Sequence, residues 1–166
     1  MDSASFEDLL AHNRDFAASF DLQGFDGVAR AGVAMVTCMD SRLDPLGMIG
    51  LVPGDAKILR NPGGRVTERA LVALVLATHL LGVERVLVVQ HTRCAMASKS
   101  EDDLIAALGA SAGMDASWLD LGAIDDQRQA LTADVHRVSS HPLIGDRVKV
   151  GGFLYDVDSG LLDQVA

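Results

Sequence analysis

Gly32-Val33-Ala34-Met35-Val36-Thr37-Cys38 is an apolar, β-branched run that gives way at once to Met39-Asp40-Ser41-Arg42. A short run with no polar side reads as a strand covered on both faces, which is the situation of a central strand in a parallel sheet. Working outward, Glu84 to Gln90, with Val86-Leu87-Val88-Val89 at its centre, has the same character. Ala56 to Arg60 is a second short strand, stopped by the loop-forming Asn61-Pro62-Gly63-Gly64. Between them, Thr67 to Leu81 reads as a helix capped by Thr67 and ended by Gly82. Its polar face is so narrow that near-complete burial is expected.

The remaining elements fit the same plan. Residues 3 to 20 form an amphipathic helix with Phe6, Leu9, Leu10, Phe16, Ala17 and Phe20 as its apolar side. Ser98-x-x-Glu101 is a capping-box pattern that opens a helix through Leu108, and Ile124 to Val138 is a further amphipathic helix. Arg147 to Val157 is strand-like with a break at Gly151-Gly152. Strands alternating with helices predict an α/β fold, a mostly parallel central sheet flanked by helices. The 166 residues are the size of one domain, with the N-terminal helix preceding a core at about 30–160.

Composition narrows the function. Fourteen Lys and Arg against twenty-three Asp and Glu leave a net charge of −9, which repels phosphate backbones and anionic lipid. Neither nucleic acid nor a membrane surface is therefore an expected partner. The longest apolar run, 70–81, is shorter than the ~20 residues of a membrane span. The first residues carry neither a basic nor an apolar signal segment, so a soluble cytoplasmic protein is expected. Two cysteines are too few for a disulfide scaffold.

The chemistry collects where strands end. Cys38 and Asp40 follow the first buried strand, and His91-Thr92-Arg93-Cys94 follows the third. In an open parallel sheet, ligands gather beyond the carboxyl ends of strands, so these segments converge. Two thiols, an imidazole and a carboxylate make a zinc set, with Asp40 or water in the fourth place. Three firm donors with a fourth that can leave is the pattern of catalytic zinc. On residue type alone, two buried cysteines are more readily small hydrophobes; their place beside strand ends, with His91 three residues before Cys94, reverses the balance toward the metal. A redox pair is less favoured, because Cys-x-x-Cys is absent. Asp40 and Arg42 alone could be a solvated ion pair. Arg60 to Arg65 before the helix reads either as an anion cradle on backbone N–H groups or as a tight turn. His79 is expected in the core, and His12, His136 and His141 on the surface or in packing. Met35, Met39 and Met48 are expected as core filler.

Cys38-Met39-Asp40-Ser41-Arg42, Arg60-Asn61 before a glycine loop, His91-Thr92-Arg93-Cys94 and the ending Val150-Gly151-Gly152-Phe153-Leu154-Tyr155-Asp156 together resemble the β-class carbonic anhydrases, in their short bacterial branch. The resemblance implies a Zn²⁺ held by Cys38, His91 and Cys94, and reversible hydration of carbon dioxide to bicarbonate by a zinc-bound hydroxide. It implies that Asp40 pairs with Arg42 in the active form, while in some members the equivalent of Asp40 closes the zinc as fourth ligand. It also implies a homodimer or higher homo-oligomer. A carbonyl sulfide or carbon disulfide hydrolase on the same scaffold and a non-catalytic zinc or thiol sensor are the alternatives. Two positions depart from the common pattern: Arg93 stands where many relatives carry Asp, and Ala95 where they carry Gly. Neither change removes a ligand.

Overall fold

The computed structural model describes residues 5–166. Five strands, β1 (Val33–Cys38), β2 (Ala56–Asn61), β3 (Arg85–His91), β4 (Lys149–Tyr155) and β5 (Leu162–Gln164), form one sheet in the order β2-β1-β3-β4-β5. The first four are parallel, and β5 runs antiparallel to β4. Four helices accompany them: α1 (Glu7–Ala17), α2 (Glu68–Leu80), α3 (Glu101–Ala112) and α4 (Gln127–Ser139). All six residues of β1 are buried, as its unbroken apolar run predicts. On one face of the sheet, Ala34, Val36, Val86 and Val88 pack with Leu71, Leu74 and Ala77 of α2 and with Leu131 and Val138 of α4. Leu74 and Leu131 are almost wholly covered, and burying each such side chain contributes about 2 kcal/mol.

The strand order decides where a site can form. From β1 the chain moves to β2 on one side, then crosses back to β3 on the other. The connections therefore part above the carboxyl ends of β1 and β3 and leave a crevice there. Cys38 is the last residue of β1 and His91 the last of β3.

Several expectations are corrected. The first helix spans 7–17 rather than 3–20 (residues 3 and 4 lie outside the described residues), and it buries none of its side chains. The Thr67 hydroxyl does cap α2, accepting from the Ala70 N–H at 3.2 Å. Yet α2 is not nearly buried: Val72, Leu76 and Leu80 are 54%, 50% and 69% exposed along one stripe. An aliphatic helix does not reveal which of its sides the sheet will cover. His79 is likewise exposed, with Nε2 2.8 Å from the Leu143 carbonyl. Met35 is core, Met48 is half-buried, and Met39 is exposed. The cap of α3 is Ser100, not Ser98: its hydroxyl accepts from the Asp103 N–H and donates to the Asp103 carboxylate. Glu101 is thereby released to accept from the N–H groups of Leu121 and Ala123. At α4 the cap is Asp126, so the helix starts three residues later than Ile124. Strand β4 occupies the middle of the expected 147–157, and β5 is too short to carry a periodic signal.

The segment 60–65 is a tight turn. The Asn61 side chain brackets it, donating to the Arg65 carbonyl at 2.7 Å and accepting from the Arg65 N–H at 2.8 Å. Gly64 has φ +65°, and a Cβ there would lie 2.8–3.0 Å from backbone atoms of Val89, Cys38 and Thr37. The turn thus rests directly on the two strand ends. Gly64→Ala is expected to cost more than about 2 kcal/mol in chemical denaturation, combining the left-handed penalty with overpacking. Gly50→Ala, at φ +70° with nothing within 4 Å, is the control and should cost about half as much.

Candidate metal centre

Strand β1 delivers Cys38, β3 delivers His91, and the turn that follows β3 brings in Cys94. One ligand atom from each of the three lies within 4.8 Å of the others, and all three residues are buried. The two sulfurs are 3.9 Å apart. His91 Nδ1 is 2.8 Å from the Thr92 carbonyl, which requires the proton on that nitrogen. The opposite nitrogen, Nε2, is buried without a hydrogen-bond partner, so a lone pair faces the cysteines. Buried polar atoms are rarely left alone. An orphaned imidazole nitrogen beside two thiols is the donor chemistry of a soft or borderline divalent ion.

Electrostatics supports the same reading. The proton shared with Cys94, helped by His91 and by the backbone at Asp40 and Gly63, pulls the Cys38 thiol down despite burial. Cys94 is pushed up, first by its hydrogen bond with Cys38 and then by burial. Burial opposes a charge on His91, but the Cys38 sulfur, the Thr92 carbonyl and the Asp40 carboxylate together raise it above its ordinary value. One thiolate, one thiol and a readily protonated imidazole thus stand where a cation would displace the protons.

Asp40 is beside this cluster yet committed elsewhere. Arg42 grips its carboxylate with two parallel bonds, Nε to Oδ1 at 2.9 Å and Nη2 to Oδ2 at 2.7 Å, and the Arg42 N–H adds a third at 3.0 Å. Asp40 Oδ2 is still 3.8 Å from His91 Nε2. The Arg42 guanidinium, followed by its N–H, holds the Asp40 carboxyl well below the usual carboxylate range. The fold thus brings Cys38, His91, Cys94, Asp40 and Arg42 together at one end of the sheet.

The sequence reading missed the supports. Arg60 donates from Nε to the Cys38 carbonyl at 2.9 Å and from Nη2 to the Asp40 carbonyl at 2.6 Å, pinning the segment that carries both residues. Gln127 Nε2 donates to the His91 carbonyl at 2.9 Å. The Thr92 hydroxyl donates to Asp156 Oδ1 at 3.1 Å and accepts from the Val157 N–H. Buried Asp134 takes Arg65 Nε at 2.6 Å and the Val66 N–H, fixing the far side of the glycine turn. A cation at the end of β2, beside β1, was the available clue to Arg60; the α4 contacts left no local pattern.

Two outcomes follow from this geometry. Arg60→Met keeps the stem but loses both charged bonds, so zinc affinity should fall about 10- to 100-fold in a competitive chelator titration. Metal uptake should release protons, since His91 and Cys94, both raised, carry them in the metal-free protein. Affinity then rises with pH. Release should be greatest at acid pH, where His91 also carries a second ring proton, and should fall as pH rises through the His91 titration, as read by calorimetry in buffers of different ionisation enthalpy.

Comparison with known proteins gives this geometry a context. The carbonic anhydrase family model matches residues 33–162. A relative named β-carbonic anhydrase 1 from Mycobacterium tuberculosis is 32% identical over 166 residues, covering 96% of each chain. A carbon disulfide hydrolase from Acidithiobacillus thiooxidans is 30% identical over 147 residues, covering 75% of this chain and 72% of its own. Among solved structures, the carbonic anhydrase of Streptococcus mutans superposes with a TM-score of 0.88 at 31% identity, covering 97% of both chains. Fold, strand-end cysteines and family match agree, and the chain belongs to the β-carbonic anhydrases.

Proposed function

We propose that the chain is a zinc-dependent carbonic anhydrase that interconverts carbon dioxide and bicarbonate, with Cys38, His91 and Cys94 as the zinc ligands. The observation that carries this reading is the fork between Arg42 and Asp40, which commits the carboxylate to a guanidinium rather than to the buried donors. A sensor closed permanently by Asp40 calls for the opposite commitment. Cys38, His91 and Cys94 would hold a zinc ion that, when bound, would supply an acidified water, less strongly than one held by three neutral imidazoles, because two thiolates would cancel its formal charge. Asp40 is held as an anion at the mouth of the donor cluster, where its Oδ2 can accept a hydrogen bond from the reacting group. Arg42 keeps that oxygen aimed and off the cluster. Leu43, Met48, Met96, Tyr155 and Val157 pack around the sulfurs and keep the site dry, which strengthens each charge interaction inside it.

A carbon disulfide hydrolase is the second reading, favoured by the relative of that name. The polar machinery is the same in both, and the substrates differ in polarity and bulk. We also infer a homo-oligomer. The exposed apolar side chains of α1 (Leu9, Leu10, Phe16) and α2 (Val72, Leu76, Leu80) are surface that a second copy would cover.

Stopped-flow hydration of carbon dioxide by zinc-loaded protein should rise from pH 6 toward pH 9. A profile flat over that range, or turnover of carbon disulfide alone, overturns the first reading. Arg42→Ala should keep stoichiometric zinc and lose about 100-fold or more in kcat/KM, the scale of a misplaced hydrogen-bonding group. Cys94→Ala should lose the zinc itself by elemental analysis.

A further inference from the structure

Arg93 is the only residue other than glycine with a positive φ, 53°, among the described residues. That conformation is disfavoured for a residue with a side chain, and two groups of Arg93 there have separate duties. Its carbonyl accepts from Arg42 Nη2 at 3.2 Å, the same nitrogen that serves Asp40 Oδ2. Its guanidinium donates from Nη2 to Asp158 Oδ1 at 2.6 Å.

Asp158 has an anchor of its own. Its N–H donates to Asp156 Oδ1 at 3.0 Å. Asp156 in turn is bonded by Thr92 Oγ1 and by Ser159 Oγ at 3.1 and 2.9 Å. Asp158 therefore stays beside the His91–Cys94 turn whether or not Arg93 holds it, and its charge is already felt at Arg42. Arg42 has given Nε and Nη2 to Asp40 and to the Arg93 carbonyl; its Nη1 has no partner among the described residues.

We propose that Arg93 is a positioning residue: by occupying Asp158, its guanidinium leaves Asp40 as the one carboxylate that Arg42 engages. The Arg93–Asp158 pair is exposed, 60% and 65%, so it adds little to stability. Its effect is on the choice of partner. Without the Arg93 guanidinium, Asp158 is a carboxylate with no cation of its own, held on the turn that Arg42 already contacts through the Arg93 carbonyl. An Arg42 that turns toward it loses the coplanar fork with Asp40, and Asp40 is released toward the buried donors. The catalytic consequence rests on the proposed hydration reaction; the pairing does not, since it belongs to the metal-free protein as well.

The test uses the full-length ¹⁵N-labelled protein and the Nε–H resonance of Arg42, identified by its loss in Arg42→Lys. In the wild type this resonance should be shifted and slow to exchange. Arg93→Ala should abolish that signature, and Arg93→Ala with Asp158→Asn should restore it. Asp158→Asn alone should leave it in place. With zinc bound and its content unchanged, kcat/KM for carbon dioxide should fall about tenfold in Arg93→Ala and recover to within about twofold in the double variant. A resonance unmoved by Arg93→Ala, one not restored in the double variant, or one lost in Asp158→Asn alone overturns the proposal. If the wild type hydrates no carbon dioxide, the functional reading fails, and the resonance arms still decide the role of Arg93.

Discussion

Three ionisable donors buried within 4.8 Å of one another form an arrangement that no protein core favours for its own sake. Each group loses water, and their protons cannot all be accommodated: Cys38 is driven down while Cys94 and His91 are driven up. Such a cluster persists only if backbone on every side forbids it to spread, and a cation that repays its desolvation is the natural resolution. Much of the surrounding structure can be understood as that restraint. The crossover between β1 and β3 brings the donors together, the Asn61–Arg65 turn presses on the strand ends through Gly64, and Gln127 holds the His91 carbonyl.

Arginines do most of the holding, in a chain whose net charge is negative. Arg60 ties down the carbonyls of Cys38 and Asp40, Arg42 grips the Asp40 carboxylate, and Arg65 reaches Asp134 across to α4. Each bond uses the planar fork of donors that lysine lacks. The acidic surface and the basic site are thus parts of one division. Many of the carboxylates face solvent, while Arg42, Arg60 and Arg65 fix the directions of backbone carbonyls and of the Asp40 and Asp134 carboxylates.

What could be read from the chain depended on how local each signal was. The unbroken run of β1, the similar run of β3 and the hydroxyl cap of α2 are determined within a few residues, and each stands where the sequence placed it. The cluster of Cys38, His91 and Cys94 was legible because each member lies in a motif at a strand end. Arg60, Gln127 and Asp134 were not, since each acts through a partner from 20 to 69 residues away and leaves no spacing to detect. Burial failed for a related reason. The aliphatic composition of α2 is the same on its covered and uncovered sides, so Val72, Leu76 and Leu80 looked no different from Leu74. The capping of α3 turned on a choice between two nearby serines, and Glu101 was needed elsewhere.

The two margins of the sheet are unequal, and this bears on how the chain escapes self-assembly as it folds. At one margin β5 presents three residues, too little for a stranger strand to extend. At the other, β2 presents six, but Lys57 and Arg60 sit along it and both reach back into their own chain. A cationic, self-engaged border is a poor template for cross-β growth. The same guanidinium that fixes the backbone beside Cys38 also helps keep nascent copies from zipping together.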